Sequence, residues 1–134
     1  MTTYARTVTV LLGLAALLAA SGACGGEDAG VVHQTFTING AADPASCGRV
    51  DATQIRSVAL DPFGVIRGTS FVPCTSFESS LQLNPGTYSV AATFLGADGR
   101  AVSRTLTRDG VTVVEGETTT YTVDFPLSTF LPLD

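Results

Sequence analysis

The stretch that decides the fold is Leu81-Gln82-Leu83-Asn84-Pro85-Gly86-Thr87-Tyr88-Ser89-Val90-Ala91-Ala92-Thr93-Phe94. Its second half alternates strictly, and the apolar positions are Tyr88, Val90, Ala92 and Phe94. An apolar residue at every second position is typical of a strand with one buried face. The preceding Asn84-Pro85-Gly86 segment is a turn signal, and Leu81 and Leu83 end an earlier alternation that begins at Phe77. The stretch therefore predicts two strands joined by a turn.

The same pattern recurs on both sides of this stretch. Further strands are predicted at residues 32–38, 56–60, 65–72, 101–107, 111–114 and 118–125. The turns between them are predicted at residues 39–40, 61–64, 97–99, 108–110 and 115–117, where Gly, Asp, Asn and Pro cluster. Residues 43–46 are predicted as loop, and no helix is expected. Because short strands with one apolar face must pack in two layers, the sequence predicts an all-β fold, a single antiparallel β-sandwich of about seven strands.

Residues 1–23 are predicted to be a secretory signal peptide that precedes the folded domain. Arg6 is the only charged residue before Glu27, and an apolar run at residues 7–20 follows it. A positive start, a short apolar run and then small residues are the marks of a signal peptide. A transmembrane anchor is the alternative, but it requires about 20 strongly apolar residues, and the second half of this run is largely alanine.

Cys24 directly follows the small residues Ser21-Gly22-Ala23. This segment resembles the lipobox of bacterial lipoproteins, although Ser21 stands where an apolar residue is usual. The resemblance implies lipidation at Cys24, attachment to a membrane through the acyl chains, and a place in the bacterial cell envelope after export through the secretory pathway. Residues 24–30 then form a flexible tether. Ordinary cleavage near Ala23, which leaves a free cysteine on a secreted protein, is the alternative.

Cys47 and Cys74 are the two remaining cysteines. An even pair inside one small exported domain predicts a disulfide. A metal site is the competing interpretation, but two distant cysteines and the single histidine, His33, do not supply a closed tetrahedral set without carboxylates. A reactive catalytic cysteine would need a base nearby, and His33 is again the only imidazole.

The charge balance argues against nucleic acid as a partner. The 134-residue chain has a formal net charge of −5, and its seven basic residues are all arginine. An acidic chain with scattered arginines offers no basic stripe for phosphates. The absence of lysine excludes Schiff-base chemistry and a phosphate-binding P-loop, and no cofactor is expected.

The run from Leu81 to Val90 also resembles a signature of prealbumin-like β-sandwich modules, which include carboxypeptidase regulatory-like and collagen-adhesin B-type repeats. In these modules an apolar residue, a Pro-Gly turn and a Tyr open a core strand. The match is Pro85, Gly86 and Tyr88, with the Tyr88 ring expected in the core and its hydroxyl at the rim. The segment from Val111 to Phe125 is similar to the last hairpin of such modules. The resemblance covers residues 31–125 and implies a non-catalytic module, while an immunoglobulin-like sandwich remains the alternative.

Candidate functional residues are few. His33 falls on the polar face of the first strand and is expected to be a surface residue. Four acidic residues lie in predicted turns, and they would bind Ca²⁺ only if their turns converged: Asp98, Asp109, Glu115 and Glu117. The apolar residues 126–134 either fold back over the core or dock on a partner.

The sequence therefore predicts a non-catalytic envelope lipoprotein that acts as a structural or protein-binding module, with the membrane and an envelope protein as partners. The alternatives are a carbohydrate- or Ca²⁺-binding module, or a small envelope enzyme or inhibitor with a carboxylate site at the loop ends. The chain contains no Trp, which disfavours an aromatic platform for sugars.

Overall fold

Strands make up most of the regular secondary structure in the part of the chain that the structure describes. A computed structural model describes residues 28–132, and the predicted signal peptide, Cys24 and the last two residues lie outside this part. The strands are β1 Gly30–Ile38, β2 Gln54–Leu60, β3 Ile66–Pro73, β4 Glu78–Leu83, β5 Gly86–Leu95, β6 Leu106–Val113 and β7 Thr118–Phe125. Within these residues the helix α1 spans Pro44–Arg49, and short 3₁₀ turns lie at Cys74–Ser76 and Leu127–Thr129.

The strands form two sheets, which confirms the prediction of an all-β sandwich. The three-stranded sheet has the order β4-β1-β7, and the four-stranded sheet has the order β3-β2-β5-β6. Most pairs are antiparallel, but β1 and β7 are parallel, with Val31 opposite Thr118 and Ile38 opposite Phe125. The expectation of a purely antiparallel sandwich is therefore wrong at this one pair, because the last strand returns to the middle strand of the other layer.

The predicted inward faces of the strands are the buried ones. Along β1 the buried side chains are those of Val32, Gln34, Phe36 and Ile38, and along β5 those of Tyr88, Val90, Ala92 and Phe94. Tyr121 and Phe125 of β7 are buried, whereas Thr118, Thr120 and Thr122 are exposed. The period-2 pattern thus assigned the core correctly.

The core divides into two apolar clusters along the strands. One cluster is rich in aromatic rings, including Phe36, Phe94 and Phe125, and it surrounds Cys47 and Cys74. The other is mainly aliphatic, with Tyr88 and Tyr121 at its margin. We name the corresponding ends of the sandwich the disulfide end and the Gly30 end, since β1 begins at Gly30 beside the second cluster.

A buried chain of hydrogen bonds lies between the sheets. Gln34 of β1 donates to the Tyr121 hydroxyl at 2.7 Å, and Ser79 donates to the Gln34 amide oxygen at 3.2 Å. Ser79 is also bonded to Ser57 of the opposite sheet, with 3.1 Å between their hydroxyl oxygens. Burial raises the pKa of Tyr121, so its hydroxyl stays protonated. Every buried side-chain nitrogen or oxygen among residues 28–132 has a hydrogen-bond partner.

The helix α1 corrects the prediction of a loop at residues 43–46. Asp43 is its N-cap and accepts a hydrogen bond from the backbone N–H of Ala45 at 3.0 Å, and Pro44 occupies the first turn. An Asp followed by Pro is a helix-start signal. The helix is only six residues long, which is too short for an apolar periodicity to be recognised.

The segment after β5 departs from the prediction at two places. The predicted strand at residues 101–107 joins the continuous ladder only from Leu106 onward. Before it, Ala101 and Ser103 make isolated bridges to Leu95 and Phe130, and the Ser103 hydroxyl accepts the N–H of Phe94. The predicted turn at residues 108–110 is a bulge inside β6. Tyr88 faces Val111 and Val90 faces Arg108, so β6 contains one extra residue, and Gly110 takes a φ of 67°.

The predicted closing hairpin is also wrong, because β6 and β7 belong to different sheets. The turn at residues 115–117 is present, but it carries the chain across the sandwich. The turn at Asn84-Pro85 does the same between β4 and β5.

The predicted disulfide is present and joins α1 to the 3₁₀ turn after β3. Cys47 and Cys74 are both buried, and their sulfurs are bonded at 2.04 Å across a separation of 27 residues. The bond attaches α1 to the aromatic cluster.

Removing the disulfide should destabilise the domain. The double substitution Cys47→Ala, Cys74→Ala frees a loop of 27 residues in the unfolded state, so we expect a loss of about 3.5 kcal/mol in the free energy of unfolding. Urea denaturation followed by circular dichroism measures it, with Cys24→Ser as the control. An unchanged urea midpoint for the double variant would contradict the structural role of this bond.

The Gln34→Leu substitution should cost about 1–3 kcal/mol, since the Tyr121 and Ser79 hydroxyls lose their shared partner while staying buried. The matched control is Thr35→Val on the exposed face of the same strand, which should stay within about 0.5 kcal/mol of the parent. Equal urea midpoints for the two variants would show that the buried network contributes nothing to stability.

Candidate functional site

The candidate residues from the sequence do not form one site. Cys24 lies outside the described residues. His33 is on the outer face of the three-stranded sheet, where its Nδ1 lies 3.0 Å from the Ser80 hydroxyl and its Nε2 lies 3.7 Å from Glu78. This serine, histidine and carboxylate are cross-strand neighbours, as the pairing of His33 with Ser80 requires. Hydrolysis would also need positioned donors for an oxyanion in a water-excluded site, and the Glu78 side chain is largely exposed.

The four acidic residues that were considered for calcium are separated. Asp98 lies at the disulfide end, in the turn after β5, and accepts the N–H of Arg100. Asp109 lies in the β6 bulge and accepts a hydrogen bond from the Ser89 hydroxyl at 2.7 Å. Only Glu115 and Glu117 share a turn, at the Gly30 end. In the part of the chain that the structure describes, no three His, Cys, Asp or Glu side chains are grouped to hold a metal ion.

The tail folds back at the disulfide end, at least as far as residue 132. The Phe130 ring is half-buried and packs against Phe94 and Phe125, with ring centroids 5.4 Å and 6.2 Å apart. The N–H of Leu131 donates to the carbonyl of Val102 at 2.8 Å. The two alternatives for this segment were folding back over the core and docking on a partner. The contacts of Phe130 and Leu131 are those of a segment that folds back over the core, although the Leu127 and Leu131 side chains are exposed.

A cleft of about 730 Å³ opens at the Gly30 end. It lies between the β2–β3 turn and the β4–β5 crossing, and the residues that line it include Asp61, Arg67, Asn84, Pro85, Gly86 and Tyr88. Tyr88 closes its floor, because the ring is buried and the hydroxyl donates to the carbonyl of Asn84 at 2.6 Å. The cleft is therefore built on the same Pro-Gly-Thr-Tyr segment that organises β5.

Asp61 holds the β2–β3 turn beside this cleft. Its carboxylate accepts hydrogen bonds from the backbone N–H groups of Phe63 at 2.9 Å and Val65 at 3.0 Å. It also accepts one from Nε of Arg67 at 2.9 Å. The bond from Val65, together with those from Arg67 and Phe63, lowers the pKa of Asp61 despite the opposing effect of partial burial. Asp61 is therefore a charged organiser of the turn at neutral pH, which does not suit it to act as a general acid.

The turn presents an apolar tip to solvent. The Phe63 side chain is 90% exposed, and Ile66 beside it is 61% exposed. Val65 is also exposed, as is Val114 in the β6–β7 turn at the same end. Scattered exposed apolar residues are common on proteins, and Phe71, Leu127 and Leu131 are exposed toward the disulfide end. The four residues named above, however, all lie in or next to the two turns at the Gly30 end.

The N-terminal segment enters the sandwich at this same end. The carbonyl of Ala29 accepts the N–H of Gly116, and the N–H of Val31 donates to the carbonyl of Glu117. A Cβ on Gly30 would collide with the carbonyl of Val114, so only glycine permits the close approach of β1 to the β6–β7 turn. The point at which the chain leaves toward Cys24 is thus fixed beside the loops that carry the exposed apolar side chains.

The sequence predicts the turn at residues 61–64, but it does not predict the hydrogen bonds of Asp61 or the exposed apolar tip. Asp at the first turn position, followed by Pro, Gly and then Arg67, is the signal for a side chain that bonds its own turn. The sequence pattern predicts Phe63 only as a turn residue. Its exposure depends on the Asp61 bonds and on the place of the hairpin at the sandwich end, neither of which a periodicity can show.

No protein-family profile matches this sequence, and no characterised protein is similar to it in a sequence comparison. Within residues 28–132, no helix has the length and apolar character needed to cross a membrane.

The Asp61→Asn variant should loosen the β2–β3 turn, because the uncharged amide attracts the three donors less strongly and has one acceptor oxygen fewer. We expect faster amide hydrogen exchange at Val65 and Phe63, measured by NMR at neutral pH, with Asp98→Asn as the control at the other end. Unchanged exchange at Val65 would contradict the assigned role.

The same bonds predict a pH dependence. Since the folded-state pKa of Asp61 is below its ordinary value of 3.8, protonation is harder in the ordered turn than in the disordered one. The ordering contribution is therefore complete above that ordinary value and is lost as the pH falls through the lower folded-state pKa. Protection of the Val65 amide, corrected for intrinsic exchange rates, should fall over that acidic range in the parent and stay flat in Asp61→Asn.

Proposed function

We propose that this chain is an exported, non-catalytic lipoprotein of the bacterial cell envelope, in which acyl chains on Cys24 anchor a β-sandwich that acts as a structural or protein-binding module. The observation that carries the proposal is the Cys47–Cys74 disulfide. Structural disulfides persist in oxidising compartments and are rare in the cytosol of most organisms, so the bond supports export. Export in turn supports the signal-peptide interpretation of residues 1–23.

The position of the N-terminal segment supports anchoring at Cys24. Asp28 to Gly30 leave the sandwich at one end, beside the β6–β7 turn, so an anchor there leaves both sheet faces accessible. Stable membrane attachment takes more than one acyl chain, because a single chain of myristoyl length binds only marginally. A multiply acylated Cys24 meets this requirement without a membrane-spanning segment.

The outer faces of the two sheets support a module that works by contact. The three-stranded sheet presents hydroxyl and carboxylate pairs, such as Thr35 with Thr122 and Thr37 with Asp124, each joined at 2.7 Å. The four-stranded sheet presents the exposed Phe71 on its edge strand β3, next to Arg56 of β2. An edge strand with an exposed aromatic side chain is a surface suited to a protein partner.

The resemblance to prealbumin-like modules is part of the proposal. Tyr88 enters the core two residues after Gly86, and its hydroxyl donates to a backbone carbonyl at the rim, as the resemblance implies. Immunoglobulin-like sandwiches use a similar tyrosine that bonds upstream backbone, so this feature supports both alternatives.

The anchor is tested by the intact mass of the protein purified from membranes of its native host, before and after reduction. We expect the mass of residues 24–134 plus acyl chains and one disulfide. The Cys24→Ser variant should lose the acyl mass and leave the membrane fraction. The matched control is Ser21→Leu, which introduces the usual lipobox residue. This variant should keep the acyl mass and remain in the membrane fraction. An unacylated parent, or one that retains residues 1–23, would overturn the proposal.

A further inference from the structure

We propose that the Gly30 end of the sandwich docks on the lipid bilayer, with the Phe63 side chain entering the boundary between headgroups and acyl chains. The inference rests on the proposed lipidation of Cys24 and adds an orientation to it. The four residue steps from Cys24 to Asp28 span at most about 14 Å of extended chain. Since Ala29 and Val31 are hydrogen-bonded to the β6–β7 turn and Gly30 packs closely against it, acyl chains on Cys24 hold the Gly30 end close to the bilayer surface.

The loops at this end carry the side chains that a bilayer interface would receive. Phe63 is 90% exposed at the tip of the β2–β3 turn, and Val65 and Ile66 extend the apolar surface beside it. Transfer of the apolar area of a phenyl ring out of water is favourable. Held next to a bilayer by the anchor, the ring reaches an apolar phase without a search through solution, which is the advantage of a high effective concentration.

The turn is ordered before it meets the membrane. Three donors, the N–H groups of Phe63 and Val65 and the Arg67 guanidinium, converge on the Asp61 carboxylate. A loop that is already fixed loses little conformational entropy on docking. The Asp61 charge is matched by Arg67, so the ion pair reduces the electrostatic cost of bringing this turn toward lipid.

The charges at this end select the kind of lipid surface. Glu115 and Glu117 lie exposed on the neighbouring β6–β7 turn, and the whole chain has a net charge of −5. Anionic headgroups repel such a surface, and salt weakens the repulsion. Docking therefore depends on apolar contact with zwitterionic lipid, and anionic lipid at low salt should oppose it.

The absence of Trp from the natural sequence allows a direct measurement. The acylated chain carrying Phe63→Trp is reconstituted into phosphatidylcholine vesicles, some with bromine on the acyl chains, which quenches indole fluorescence on contact. The matched control is Leu127→Trp, an exposed apolar position at the disulfide end, roughly 25 Å away along the strands. We expect blue-shifted, bromine-quenched emission for Phe63→Trp alone, and less quenching when anionic lipid is added at low salt.

A second anchor separates this inference from the lipidation proposal. The Cys24→Ser chain, starting at residue 24 and bearing an N-terminal hexahistidine, is bound to vesicles containing a nickel-chelating lipid. Quenching of Phe63→Trp but not Leu127→Trp on this artificial anchor supports the docking surface even if the native chain proves unacylated. Equal quenching of both positions, or of neither, on acylated protein of verified mass overturns the proposed orientation while the anchor itself stands. Circular dichroism of each variant confirms that the sandwich is folded.

Discussion

The fold depends on burying the apolar faces of two sheets against each other. Phe36 and Phe125 of the three-stranded sheet meet Phe94 of the four-stranded sheet, with the Phe94 and Phe125 rings edge to face at 4.7 Å. Neither sheet has a second layer of its own, so each is stable only while this contact persists. The helix, the disulfide and the folded-back tail all attach to this aromatic cluster, since Cys47, Cys74 and Phe130 pack in or against it.

The sequence predicted the layers well because side-chain alternation is a local property. From Tyr88 to Phe94 every inward residue was identified, and the same holds from Val32 to Ile38. Which strands pair is not local. The parallel pairing of β1 with β7 joins residues more than 80 positions apart, and the crossings at Asn84-Pro85 and Glu115–Glu117 look in the sequence like hairpin turns. The bulge at Gly110 was mistaken for a turn because both use glycine at positive φ.

The site was predictable only in part, for a related reason. The disulfide followed from counting cysteines, whereas lipidation at Cys24 stays a prediction, because that residue lies outside the described part of the chain. The role of Asp61 arises from three converging donors, two of them backbone groups whose direction exists only once the turn has formed. Likewise, the location of Phe63 at the Gly30 end of the sandwich is a property of the tertiary structure. Sequence spacing does not predict that the turn of Phe63 and the start of β1 at Gly30 lie at the same end of the sandwich.

The two ends of the sandwich are held together in different ways. At the disulfide end, the disulfide bond, the aromatic rings packed edge to face or tilted, and the tail enclose the core, so changes there act through unfolding. At the Gly30 end, the core is bounded by Tyr88 and small aliphatic side chains, and the turns beyond them are held by their own hydrogen bonds. Because the turn is held by hydrogen bonds to its own Asp61, the exposed Phe63 at its tip is not needed for packing of the core. Exposed loops on a rigid scaffold are where proteins commonly place contacts, and here the scaffold is closed most firmly at the end opposite to these turns.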